Sequence, residues 1–298
     1  MRGQDLGDLF LLAALWGSTF LFLQLSAGEF GPLGVIAVRT LVAAAILVPL
    51  MFLLKKWHHL MRDLKHIVIV GAHGVALPFV LTAYASLSLP SGFLSVLNAS
   101  APLWGGIVTW LWLKEKLPFW RIAGLIIGFA GIVVLLWSKL TFFQEHTATL
   151  WSVLAGLMGP LSYAVSASYT KKHLMHCDPV AASAGSLLVA GLLVLPFAYW
   201  TWPDTDISTR AWGAAIMLAI ACTAVSYIIY YRFQLSVGPS KAVTVTFLIP
   251  VFAILWGWLW LDEVITMQML IGAGVILAGT ALATGLIPRN HAMSSKKS

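Results

Sequence analysis

Arg39 is the single Lys, Arg, Asp or Glu within ten long apolar stretches of this 298-residue chain. A charge held in hydrocarbon costs at least about 2.5 kcal/mol, so an ionisable residue at that depth is a functional candidate by default. A guanidinium is a planar fork of donors that pairs with anions in bidentate fashion, so Arg39 would receive a carboxylate or help to close a gate. At 1.5 Å per residue it lies about 9 to 10 Å past Leu33, from where it either reaches a cavity or snorkels back to the interface. His73 and Asn98 are the next polar residues at depth, with Gln24, Thr82, Ser162, Tyr163, Ser166, Tyr227 and Tyr230. Asn98 precedes Pro102 by one turn, and a proline leaves a helix carbonyl without its donor. Loosened helices of this kind line binding sites in carriers, and Pro250 sets up the same break later in the chain. The alternative for either proline is a static kink. Trp16 and Trp104 lie deeper than most of the fourteen tryptophans and would suit an apolar or aromatic part of a ligand, or simple helix packing. Candidate ligand-contacting residues are thus Arg39, Asn98, His73, Trp16, Trp104, Tyr163 and Tyr227, with Pro102 and Pro250 as candidate hinges.

Other chemistries lack their residues. The apolar stretches contain no carboxylate for a proton relay, which leaves His73 for proton coupling, or facilitated diffusion or exchange without it. The eight histidines show no metal-ligand spacing: His58 with His59 and His173 with His176 fall in basic loops, where headgroup contact is expected. There is no nucleophile triad, phosphate loop or nucleotide-binding turn. No cofactor, metal or nucleic acid is expected. The expected partners are a small-molecule substrate and membrane lipid, with the protein a monomer or homodimer.

The elements that must position these residues follow from composition. Sixty percent of residues are hydrophobic, 10% are charged and the mean hydropathy is +0.90, against about 45 to 50% apolar and about 25% charged in soluble domains. A spanning helix needs about 20 apolar residues. Ten segments qualify: Leu9 to Gly28, Leu33 to Leu54, Ile67 to Leu87, Gly92 to Leu113, Ile122 to Ser138, Leu150 to Thr170, Val180 to Trp200, Ala211 to Tyr231, Ala242 to Leu261 and Val264 to Pro288. With the N-terminus inside, fifteen of the eighteen Lys and Arg residues fall in cytoplasmic segments and only Lys139 and Arg210 on the other side. That asymmetry places both termini in the cytoplasm. Trp57, Trp137, Trp200, Trp202 and Trp212 sit near segment ends, as interfacial anchors do. Cys177 and Cys222 lie in a basic loop and an apolar run, so no disulfide is expected.

An internal repeat organises the segments. Pro102 to Glu115 recurs, 148 residues on, as Pro250 to Glu263, and Gly124 and Gly131 recur as Gly272 and Gly279. Pro32 and Pro49 recur as Pro179 and Pro196 at a shift of 147. Each half holds five segments, and an odd number inverts the second half relative to the first. The expected architecture is an all-α integral membrane protein of ten transmembrane helices in two inverted five-helix repeats around a central cavity. Residues 1–138 form the first repeat, 139–149 an outer loop, 150–288 the second repeat and 289–298 a basic cytoplasmic tail.

In LWGSTF (Leu15 to Phe20), RTLVAA (Arg39 to Ala44), PLWGGIVTWLWLKEKL (Pro102 to Leu117) and PVFAILWGWLWLDEV (Pro250 to Val264), the chain resembles the EamA family of the drug/metabolite transporter superfamily, as paired halves. The resemblance spans nearly all of the chain. It implies a ten-helix carrier with a central cavity, commonly an exporter of amino acids or other metabolites, in the bacterial inner membrane and not an enzyme. The second half departs in having Met158, Gly159 and Pro160 where the first has its WGS start, so the halves need not contribute equally. The competing classes are a non-transporting membrane sensor or scaffold and an intramembrane enzyme acting on lipids.

Overall fold

A computed structural model describes residues 3–114, 118–140, 147–238, 242 and 244–284. Among the described residues the regular structure is entirely helical. Eight helices are long and apolar enough to cross a membrane, and a ninth, Val245–Leu261, is apolar but shorter. In hydrocarbon every backbone N–H needs a partner within its own segment, which is why such composition folds into helices.

The first helix, α1 (Gly3–Leu53), joins the first two expected segments with no loop between them; residues 3–30 and 32–53 meet only at Gly31 (φ 69°, ψ 159°). Glycine alone tolerates that positive φ without a Cβ penalty, and Pro32 forces the residue before it to an extended ψ. The break expected between Gly28 and Leu33 thus falls at Gly31, and the connection is a single residue. Two short helices, α2 (Trp57–Arg62) and α3 (Leu64–Val70), lead through a wide turn of i→i+5 type at Gly71–Ala76 into α4 (Leu77–Ala85). Pro78 lacks the N–H that would bond to Gly74, and the wide turn absorbs the missing donor. The expected segment Gly92 to Leu113 is two helices, α5 (Ser91–Asn98) and α6 (Ala101–Leu113). The interruption falls at Ala99 and Ser100, where the Ser100 N–H bonds one residue short, to the Leu97 carbonyl, and Pro102 opens α6.

There follow α7 (Phe119–Leu140), α8 (Thr147–His173), α9 (Pro179–Trp200) and α10 (Thr209–Ala219). A second wide turn, Ile220–Val225, leads into α11 (Ser226–Val237), and α12 (Val245–Leu261) and α13 (Met267–Thr284) complete the chain. No proline causes the second wide turn. Instead the hydroxyls of Thr223 and Ser226 each bond to a carbonyl five residues back, on Leu218 and Ala221, and such side-chain bonds offer the backbone an alternative to the regular ladder. Pro250, unlike Pro102, sits inside an unbroken helix.

One buried cluster joins α1 to α4, α9 and α10, and another joins α5, α6 and α7 to α12 and α13. Helices α7 and α13 approach closely enough that a Cβ at Gly124 would lie 2.5 Å from the Ala283 nitrogen. The repeated glycines thus permit close packing within the protein. Glu263 ties the halves together: its carboxylate accepts from the Ser91 N–H (2.6 Å) and the Gly92 N–H (3.1 Å) at the start of α5. Its repeat counterpart Glu115 lies outside the described residues.

Candidate functional site

A cavity of about 320 Å³ lies between α1, α4, α5, α6, α8, α11 and α12. Six of the nine sequence candidates line it: Trp16, Arg39, Asn98, Pro102, Tyr163 and Tyr227. The rest are elsewhere. His73 is exposed on the first wide turn, and its backbone carbonyl accepts from Ser162 Oγ at 2.6 Å. Trp104 packs edge-on against Phe129 with ring centroids 5.0 Å apart. Pro250 is buried in α12 and does not itself line the cavity, although its neighbour Ile249 does.

Arg39 is 5% exposed and does not snorkel. Its Nε donates to Thr223 Oγ1 at 2.9 Å, and its guanidinium carbon stands 3.7 Å over the centroid of the Phe79 ring. Both partners come from the neighbourhood of a wide turn. The Thr223 hydroxyl, which donates to the Leu218 carbonyl, is thereby free to accept from Arg39. A hydrogen bond to a charged group contributes about 1.5 to 3 kcal/mol, and a desolvated cation over a ring up to about 2 kcal/mol. Together these offset the roughly 2.5 to 3.5 kcal/mol cost of a charge in the membrane interior. Among the described residues no Asp or Glu lines the cavity, so it carries one positive charge without a carboxylate in its wall.

Three pairs in the rest of the lining are related by the sequence repeat. Phe79 and Tyr227, Asn98 and Thr246, and Ala101 and Ile249 are each 148 residues apart, and all six line the cavity. One aromatic pair, one pair of polar side chains and one apolar pair therefore face a common space, and Trp16 and Tyr163 add two further aromatic rings. Phe79, Thr223, Thr246 and Cys222 were not singled out from the sequence. The one cue for Phe79 and Thr246 was the repeat itself, applied to Tyr227 and Asn98.

The family model of the EamA-like transporter family matches residues 6–137 and again 150–285. The chain belongs to the EamA-like transporter family. It is a multi-pass membrane transporter and not an enzyme. An uncharacterized transporter of Archaeoglobus fulgidus is 23% identical over 273 residues, which cover 91% of this chain and 95% of that protein. A probable terminal-alkyne amino-acid exporter of Streptantibioticus cattleyicolor is 25% identical over 277 residues, 92% of this chain and 91% of the exporter. One solved crystal structure shares the fold with a TM-score of 0.65 at 18% identity, covering 96% of this chain and 98% of its own.

At one end of this EamA-like transporter a second polar cluster connects the halves. Asp63 accepts from Arg62 (2.8 Å) and lies 3.0 Å from His176 Nε2, and Lys56 pairs with Asp178 at 3.1 Å. The Arg62 bonds, with His176 adding, hold the Asp63 carboxyl well below the usual carboxylate range. Burial, with Asp63 adding, pushes the Cys177 thiol up to about 11. His59, Asp63 and Cys177 bring one ligand-type atom each within 4.8 Å of one another, a convergence that their separation in sequence conceals. The Arg62 guanidinium already occupies this cluster, 3.3 Å from His59 Nδ1, and supplies its positive charge. The arrangement is an ion-pair clasp between residues 56–63 and 176–178.

Proposed function

We propose that this transporter is a secondary carrier that exports small organic metabolites bearing a carboxylate, such as amino acids, by alternating access. Arg39 carries the reading: a buried cation facing a cavity with no acid in its lining among the described residues suits an anionic ligand group. With Nε committed to Thr223, the two terminal NH2 groups form a fork for the carboxylate. The aromatic faces of Trp16, Tyr163 and Tyr227 would meet an ammonium or an apolar side chain, and Asn98 and Thr246 would orient the polar end. A volume of about 320 Å³ is at the small end of ligand pockets, in keeping with a metabolite. The name of the Streptantibioticus relative, a probable terminal-alkyne amino-acid exporter, points to the same class.

In this reading the break at Gly31 makes two spans of α1, which gives ten transmembrane helices as two inverted five-helix repeats, with both termini in the cytoplasm of a bacterial inner membrane. Repeats of this kind offer two related conformations, open to either side. The interrupted helix at Asn98–Pro102 and the two wide turns are the compliant points. With His73 off the cavity, exchange or facilitated diffusion accounts for transport more simply than proton coupling through that residue. Proteoliposomes loaded with a radiolabelled amino-acid panel provide the test. Efflux of at least one carboxylate-bearing solute above that of empty-vesicle controls is expected, and its competition by the amino acid but not by its amide. Efflux of neutral or cationic solutes alone would refute the anion-receptor role.

A further inference from the structure

On the opposite face of residues 3–30 from the cavity, α1, α10 and α12 enclose an apolar groove of about 650 Å³. Its walls are aliphatic and aromatic side chains, among them Leu21, Leu25, Met217, Trp256 and Trp260, and among the described residues Arg210 is the one charged residue in its lining. Arg210 is exposed and stands in the first turn of α10, where the helix enters from its loop. Glu29 is the acid near it, and both Glu29 oxygens already accept from Ser208, one from the backbone N–H at 2.7 Å and one from the hydroxyl at 2.8 Å. The groove runs inward from Arg210 on α10 to Ala221 in the second wide turn and from Leu25 to Ala14 on α1. Either path is about 16 Å at 1.5 Å per residue, which is half of the about 30 Å hydrocarbon thickness and so the depth of one leaflet.

We propose that this groove is a binding site for one anionic phospholipid, its phosphate on Arg210 and an acyl chain along α1, α10 and α12. A cation at the membrane boundary, an apolar channel one leaflet deep and an exposed tryptophan, Trp260, at the rim are the parts that such a lipid requires. The site also abuts the cavity wall. Ser18 lines the groove, Cys222 lines the cavity, and their Oγ and Sγ atoms are 3.3 Å apart, so a lipid seated here packs directly behind the α1–α10 partition. The proposal needs only a membrane protein and stands whether or not the carboxylate reading of the cavity is right.

Gly213 gives a clean probe, because it lines the groove and a Cβ built on it would meet no atom within 4 Å. Detergent-purified protein is titrated with phosphatidylglycerol or phosphatidylcholine of the same acyl composition, with glycerol phosphate alone as a third arm. Thermal midpoint and lipid count by native mass spectrometry are read together. Wild type should gain on the order of a few degrees more from phosphatidylglycerol than from phosphatidylcholine and should retain one such lipid. Arg210→Gln should equalise the two lipids, and Gly213→Leu should remove the retained lipid. Retention of the phosphatidylglycerol preference in Arg210→Gln, of the bound lipid in Gly213→Leu, or an equal gain from glycerol phosphate would each overturn the proposal. Should Gly213→Leu not fold, the lipid count of Arg210→Gln alone decides.

Discussion

Arg39 and Ser186 occupy corresponding places in the two copies of the repeat, 147 residues apart, and they have opposite fates. Arg39 lines the cavity as a buried cation held by Thr223 and Phe79, whereas the Ser186 hydroxyl is buried and donates to the Ala182 carbonyl of its own helix at 2.6 Å. Around them three pairs of lining residues are matched by the repeat, aromatic to aromatic, polar to polar and apolar to apolar. The difference teaches that duplication supplies the shape of the space while a single unduplicated residue supplies its charge. A carrier needs two-fold shape to visit two related conformations, and a ligand without two-fold symmetry needs a one-sided anchor.

The strongest way to break this comparison is to remove the charge. Arg39→Ala is expected to lower proteoliposome efflux on the order of 100-fold, as loss of a buried charge-assisted pair does. Ser186→Ala, its counterpart, should leave efflux within about twofold, because one hydroxyl bond to its own helix contributes about 1 kcal/mol or less to folding and nothing to the cavity. Equal losses from both would show that the position matters for packing and not for charge. Phe79→Leu should come next, with a fall of about 2- to 30-fold from the lost ring under the guanidinium, and with expression and melting close to wild type.

Asn98→Ala and Thr246→Ala test the matched part of the wall. Each is expected to weaken competition by a bound amino acid by about fivefold, the worth of one neutral hydrogen bond of about 1 kcal/mol, and similar losses would support the matched arrangement. The two prolines give the smallest effect. Pro250 occupies the interior of α12 and denies the Thr246 carbonyl its donor, so Pro250→Ala should raise the thermal midpoint, while Pro102 in the first turn of α6 costs nothing there and Pro102→Ala should leave it unchanged. The clasp between the halves responds to pH in a defined sense. The Asp63 carboxyl is held below its unfolded value, so its contribution is fully present above about pH 4 and is lost only as pH falls through the lower folded value. Asp63→Asn should therefore lower the thermal midpoint at pH 6 and pH 8, measured by differential scanning fluorimetry.

Much of this was legible in the chain. Apolar length sets helices, because hydrocarbon leaves the backbone no partner but itself, and the expected segment boundaries match the helices to within a few residues at Pro179–Trp200 and Thr147–His173. Family membership was legible in the repeated proline, tryptophan and acidic positions. The wide turns were less so: the first follows from Pro78, but the second depends on which carbonyls the hydroxyls of Thr223 and Ser226 choose, and hydropathy does not record that choice. Pro102 and Pro250 read alike yet differ, since an interruption depends on how the residues before the proline close their turn and on what packs against it.

By itself, then, the sequence determined that the protein belongs in a membrane, that it is helical, that its halves repeat and that Arg39 is its one charge at depth. Only the tertiary structure decided that Arg39 faces a cavity and is held by Thr223 and Phe79, that His73 and Trp104 lie elsewhere, and that His59, Asp63 and Cys177 converge. Composition and period are properties of one segment in its solvent, and the solvent is uniform enough to read them. A site is a meeting of side chains from helices more than a hundred residues apart, and the rotation of each helix about its own axis, fixed by packing against its neighbours, chooses which of its faces takes part.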